Sequence, residues 1–214
     1  AAWRACWCSP CRPCASCAPL PSVQMWEVWN EPNFGEDLAP QAIDGSKVST
    51  APRMYRSLLD EGWSALQRTG HAHDTILFGS LSPRGLQAPV TRRWPDGLPG
   101  DFSTTKPLQF LRTLYCVDAG YRRLRGAAAV RDACPVGAPA SKRFRAAHPA
   151  LFAASGFAIH PYPFNLPPTQ ADSSDPDYVE FSEIPRLERT LDRLQQTYGS
   201  VRRLAIYNTE YGYI

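Results

Sequence analysis

Two glutamates sit in the same kind of place along the chain. Glu31 follows residues 23–29, VQMWEVW, a β-branched and aromatic run that stops at Asn30-Glu31-Pro32-Asn33. Glu210 follows residues 203–207, RLAIY, which stop at Asn208-Thr209-Glu210. Short apolar runs bounded by polar residues read as buried strands. If the two strands run parallel in one sheet, both carboxyl groups stand at one mouth. Such a pair has the equipment to cleave an acetal. One carboxylic acid protonates the departing oxygen, and the second attacks the anomeric carbon or activates water there.

Neighbouring residues add to this chemistry. Pro32 fixes the turn after the first strand, and Asn30 offers an amide to a sugar hydroxyl, a contact that can strengthen in the transition state. His160 and Tyr162, two apart at the end of GFAIHPY, project to the same side and can reach the mouth as donors. A tyrosine hydroxyl near Glu210 keeps that carboxylate ionised, as a nucleophile requires. Glu27 shares strand parity with Glu31 but lies four residues earlier, roughly 13 Å deeper, and reads as an internal structural carboxylate. Taken singly, each residue also has an ordinary reading: strand-end glutamates are often solvated or cap a helix, and His-Pro-Tyr often only packs.

The elements that must hold these residues alternate. Residues 50–69 carry Tyr55, Leu58, Leu59, Trp63 and Leu66 at helical spacing, with Gly70 at the C-terminal end. TILFGS (75–80) is a second strand, followed by a long Pro- and Gly-containing loop. Helical patterns return at 107–115 and 142–154, and GFAIHPY (156–162) is a third strand. Ile184, Leu187, Leu191, Leu194 and Tyr198 mark a further helix, and RLAIY is the fourth strand. Alternation predicts parallel βα units. The strand-to-helix loops are long and the helix-to-strand links short, as at the active-site face of a (β/α)₈ barrel. Four strands fit either half of a doubly wound sheet or a barrel lacking its beginning and its last unit.

Composition bounds the reading. At 214 residues and 43% hydrophobic content, the chain supports one domain with a substantial core. A net charge of +3 over 23 basic and 20 acidic residues leaves no basic stripe for a phosphate backbone, so nucleic acid is not an expected partner. No stretch approaches the roughly 20 apolar residues that span a bilayer, so membrane insertion is not expected. Six tryptophans and nine tyrosines provide flat surfaces that suit sugar rings.

The seven cysteines form two groups. Cys6, Cys8, Cys11, Cys14 and Cys17 crowd a Cys/Pro-rich segment, residues 1–22. Its spacings match neither paired zinc ligands nor an iron–sulfur run. Its residue set is what GC-rich codons yield in a wrong frame, so a disordered or artefactual tail is expected and no metal site, with the domain proper at 23–214. Cys116 and Cys134 lie inside patterned sequence and are expected to pair as a disulfide in an exported protein. The first residues lack the order of a secretory signal, and a secreted location is still expected, with the native N-terminus outside this sequence.

WNEPN followed much later by TEYGY resembles glycoside hydrolase clan A, the retaining (β/α)₈ glycosidases, over roughly residues 23 to 213. The resemblance implies that Glu31, after Asn30 on the clan's fourth strand, is the acid/base, and that Glu210, ending the seventh, is the nucleophile. The clan's His-x-Tyr on the sixth strand matches His160-Pro161-Tyr162. The clan's first three strands have no counterpart before Val23, and its eighth has none after Ile214, which implies a partial barrel of strands four to seven with two unpaired edges. Retention requires carboxyl groups about 5 to 5.5 Å apart, and a separation near 9 Å means inversion. No metal or organic cofactor is expected. Cellulose, xylan, mannan and other β-glycans stay open, as do exo or endo action and the oligomeric state. The competing expectations are a non-catalytic carbohydrate-binding barrel and an inactive fragment.

Overall fold

The computed structural model describes residues 22–42, 49–85, 102–172 and 174–212. The cysteine-rich segment 1–21 and Tyr213 of the second motif lie outside the described residues. Within them the chain runs β1 (Met25–Glu27), α1 (Ala51–Arg68), β2 (Thr75–Leu81), α2 (Pro107–Leu114), α3 (Gly126–Arg131), α4 (Ala138–Ala147), α5 (Ala150–Ala153), β3 (Gly156–Ile159), α6 (Ile184–Thr197) and β4 (Ala205–Asn208). The four strands are parallel, paired in the order β1-β2-β3-β4. The fold is therefore α/β with a parallel sheet, as the alternation of patterns predicts.

Side chains on a strand alternate between faces. Phe78, Phe157 and Ile206 share one register row across β2, β3 and β4, and the rings of Phe78 and Phe157 meet edge-on at 5.2 Å. This face packs with Tyr55 and Leu59 of α1, Phe110 and Leu111 of α2, and Leu187 and Leu191 of α6 in one core. Each large apolar side chain buried there contributes about 1.5–3 kcal/mol. β2 and β3 lie between neighbours and are buried almost throughout.

β1 departs from the expected buried strand. It is three residues long, it pairs with β2, and Val23 and Met25 are exposed. An outer strand is covered on one edge only. Glu27 follows suit: instead of an internal carboxylate it is an exposed one, reached by the Thr209 hydroxyl at 3.3 Å.

Pro52 occupies the first turn of α1, where its missing N–H costs nothing. Tyr55 and Leu59 are buried as expected, whereas Leu58 faces solvent. Gly70, with φ +96°, terminates this element in the left-handed region that glycine favours. The helix expected over 142–154 is two helices, α4 and α5. Pro149 cannot donate to the turn before it and disfavours helical geometry at His148, which sits at φ −124°, ψ 63°. α3 was not expected, because only Ala129 of its residues is buried and an apolar period is missing.

Cys116 and Cys134 are joined by a disulfide. Behind it, the buried Arg56 donates to the carbonyls of Leu114 at 2.8 Å and of Asp132 and Ala133 at 3.1 Å. Burial lowers the pKa of this guanidinium from its ordinary value. Among the described residues, no helix is long and apolar enough to cross a membrane.

Candidate active site

All four strands point the same way, so the residues after their C-terminal ends share one rim. After β1 the backbone takes two left-handed turns, at Trp29 (φ 73°) and Glu31 (φ 36°). Non-glycine residues adopt this region at a cost that the surroundings must offset. Here the offset is a set of buried hydrogen bonds. Asn33, with no exposed surface, donates from Nδ2 to Ser82 O at 3.0 Å and Thr105 O at 2.9 Å, and accepts from Ser82 N–H at 2.8 Å. Gln41 donates to Pro32 O at 2.9 Å and Leu38 O at 2.7 Å, and accepts from the Thr105 hydroxyl at 2.7 Å.

β2 ends in an irregularity between Gly79 and Leu81. Gly79 has φ +114°, and a Cβ there would lie 2.5 Å from Ala158 O, so glycine alone lets β3 approach this closely. His160 follows β3 directly, with its N–H on Leu81 O at 3.0 Å and 2% of its surface exposed.

His160 Nδ1 lies 2.9 Å from Glu31 Oε1 and 2.9 Å from Glu210 Oε2. One carboxylate oxygen of Glu31 and one of Glu210 lie within 4.8 Å of each other. When both carboxyls are ionised they can only accept, so the proton on this edge of the ring belongs to Nδ1. Tyr162 faces the same cluster. Loss of solvation, then the neighbouring Glu210 and Glu31 carboxylates, raises its pKa, so its hydroxyl stays protonated and able to donate. The backbone of Gly212 lies against the Tyr162 ring, where a Cβ would come within 3.0 Å of Cε1.

Four of the five residues expected at the mouth are thus brought together: Glu31, His160, Tyr162 and Glu210. Asn30 is not. It is exposed, and its amide donates to Asp37 Oδ2 at 2.9 Å rather than joining the cluster. The Glu31, His160 and Glu210 atoms are also three donors of the kind a divalent cation takes.

A cleft of about 470 Å³ opens beside this cluster, lined by Glu31 and Tyr162 together with Arg84, Phe164 and Tyr178. Arg84 binds the carboxylates of Asp172 and Glu180, which ties the loop after β2 to the loop after β3. The ion pair of Lys106 with Asp175 reinforces the same connection, and that of Arg112 with Asp177 ties α2 to the loop after β3.

Sequence reasoning missed Asn33 and Arg84. Asn33 stood inside the quoted motif, and the signal was an amide side chain immediately after a turn-fixing proline. Arg84 gave no local signal. Comparison of the chain with protein-family models, with curated proteins and with solved structures found no match.

Proposed function

We propose that this protein is a retaining glycoside hydrolase acting on a β-linked poly- or oligosaccharide, with Glu31 as acid/base and Glu210 as nucleophile. The observation that carries the reading is the separation of the two carboxylates, with oxygens within 4.8 Å. This oxygen–oxygen distance is shorter than the about 6.5–9.5 Å between the carboxyl groups of inverting enzymes and close to the about 5–5.5 Å of retaining ones.

The chemistry follows from the positions. Glu31 donates its proton to the glycosidic oxygen as Glu210 attacks the anomeric carbon, giving a glycosyl ester on Glu210 and a free leaving group. Glu31, now a carboxylate, takes a proton from water as that water attacks the same carbon, and Glu210 departs as a carboxylate. His160, hydrogen-bonded to Glu31 and 2.9 Å from Glu210, holds their spacing through both steps, and the protonated Tyr162 faces Glu210. The mechanism needs no metal or organic cofactor.

The strand order supports reading the sheet as four consecutive units of a (β/α)₈ barrel. The order β1-β2-β3-β4 runs without the reversal that marks a doubly wound sheet. The disulfide supports an exported protein.

The test is hydrolysis of aryl β-glycosides by the intact chain, with the product anomer followed by proton NMR. Retention is expected, with turnover lost in Glu31→Gln and Glu210→Gln and recovered as a glycosyl azide when azide is added to Glu210→Gly. Inverted product, or unchanged turnover in either glutamine variant, overturns the reading. An inert protein that still binds oligosaccharide makes it a non-catalytic carbohydrate-binding barrel.

A further inference from the structure

The 470 Å³ cleft is asymmetric about the two carboxyl groups. Glu31 lines it and Glu210 does not. If Glu31 protonates the departing oxygen, whatever fills the cleft lies on the leaving-group side of the scissile bond. We infer that this cleft is a leaving-group subsite for a neutral sugar, with the ring of Phe164 as its stacking platform and Arg84 as the residue that positions it. This inference rests on the glycosidase reading and adds the orientation and the charge class of the substrate.

Three observations lead there. The first is the exposure of Phe164, 63%, on a loop wall of the cleft. A large flat apolar surface turned to solvent inside a concavity suits the apolar face of a pyranose ring, and the volume lies within the range of small-ligand pockets, about 300–1,000 Å³.

The second is how that ring is held. The Arg84 guanidinium lies 5.2 Å from the Phe164 ring centroid and 5.0 Å from that of Tyr178, so one planar cation braces both rings. Tyr178 is fixed in turn by its hydroxyl on Gly85 O at 3.1 Å.

The third is charge. Arg84 is already bound by two carboxylates, Asp172 and the 1%-exposed Glu180. The nearby cations Lys106 and Arg112 are each paired as well. Among the described residues lining the cleft, Arg84 is the one cation, and its two carboxylates outnumber it, so a carboxylated or sulfated sugar would meet net negative charge. A neutral sugar meets no such penalty.

The test uses the intact chain and two pairs of substrates. The first pair shares a glycone: the β-glucosyl, β-xylosyl or β-mannosyl fluoride that the wild type hydrolyses fastest, and the tetraose of the same sugar. Fluoride leaves the cleft empty, whereas the tetraose fills it. Phe164→Ala is expected to lower the ratio of kcat/KM for the tetraose to that for the fluoride about tenfold, mainly through KM. Arg84→Lys, which keeps the charge but not the planar face, is expected to lower it in the same direction. The second pair is the 4-carbamoylphenyl and 4-carboxyphenyl β-glycosides, near-equal leaving groups that differ in charge; the carboxylate is expected to show the higher KM. A ratio unmoved by Phe164→Ala, or a lower KM for the carboxyphenyl glycoside, overturns the subsite while the glycosidase reading stands. Failure of the wild type to cleave any fluoride or aryl glycoside removes both.

Discussion

Asn33 and Ser82 are joined by a reciprocal pair of hydrogen bonds: Asn33 Nδ2 donates to Ser82 O at 3.0 Å, and Ser82 N–H donates to Asn33 Oδ1 at 2.8 Å. With its further bond to Thr105 O, this buried amide ties the loop after β1 to the loop after β2. Asn33→Ala leaves a buried N–H and two carbonyls without partners, each loss costing about 1–3 kcal/mol before relaxation. A net destabilisation of about 2–4 kcal/mol is expected in urea unfolding. Because the same bonds hold the left-handed turn at Glu31, kcat/KM should also fall; an unfolding midpoint equal to wild type would remove the positioning role.

His160 Nδ1 is hydrogen-bonded to Glu31 Oε1 and lies 2.9 Å from Glu210 Oε2. His160→Ala frees two acidic groups with oxygens within 4.8 Å of each other, and a displacement of about 1 Å costs about a hundredfold in rate. The variant should keep the circular dichroism of the wild type and lose about a hundredfold in kcat/KM. Activity within threefold of wild type would show that the glutamates position themselves.

The Cys116–Cys134 bridge closes a separation of 18 residues. Constraining a loop of about this size stabilises a fold by about 3 kcal/mol. The Cys116→Ser/Cys134→Ser double variant is expected to melt about 6–12 °C lower by calorimetry. Reduction of the wild type should produce the same shift, and an unchanged Tm would show that the loop holds without its bridge.

Tyr55 and Tyr115 are wholly buried, and desolvation raises the pKa of each phenol. The folded chain therefore keeps two protons that the unfolded chain releases near pH 10. The stability they contribute is complete below that pH and is lost as pH rises above it, by about 1.4 kcal/mol per pH unit for each group. Urea unfolding between pH 8 and 12 should show stability falling steeply above about pH 10; absorbance at 295 nm should show these phenolates appearing only with unfolding. Ionisation of all nine tyrosines before the transition would contradict it.

Much of this was written in local pattern. Runs such as TILFGS and GFAIHPY are short, β-branched and bounded by polar residues, and they alternate with helical periods, so a parallel α/β arrangement follows from neighbours in sequence. Glu31, His160, Tyr162 and Glu210 were legible for the same reason: each stands within a few residues of a strand end, and parallel strands bring such ends to one rim. Cys116 and Cys134 were legible because both lie inside patterned sequence and close a loop of ordinary length.

What the tertiary structure alone decided depends on partners far away in the chain. β1 was read as buried from its composition, yet its outer position leaves Met25 and Glu27 exposed. Asn30 was read toward the mouth, but the left-handed backbone at Trp29 and Glu31 turns its amide to Asp37. Asn33 meets partners 49 and 72 residues on, and Arg84 meets carboxylates 88 and 96 residues on. Periodicity records which face of an element is apolar, because that is a property of successive residues. It cannot record which loop a polar side chain will reach, because that is settled only when packing fixes the distances between loops.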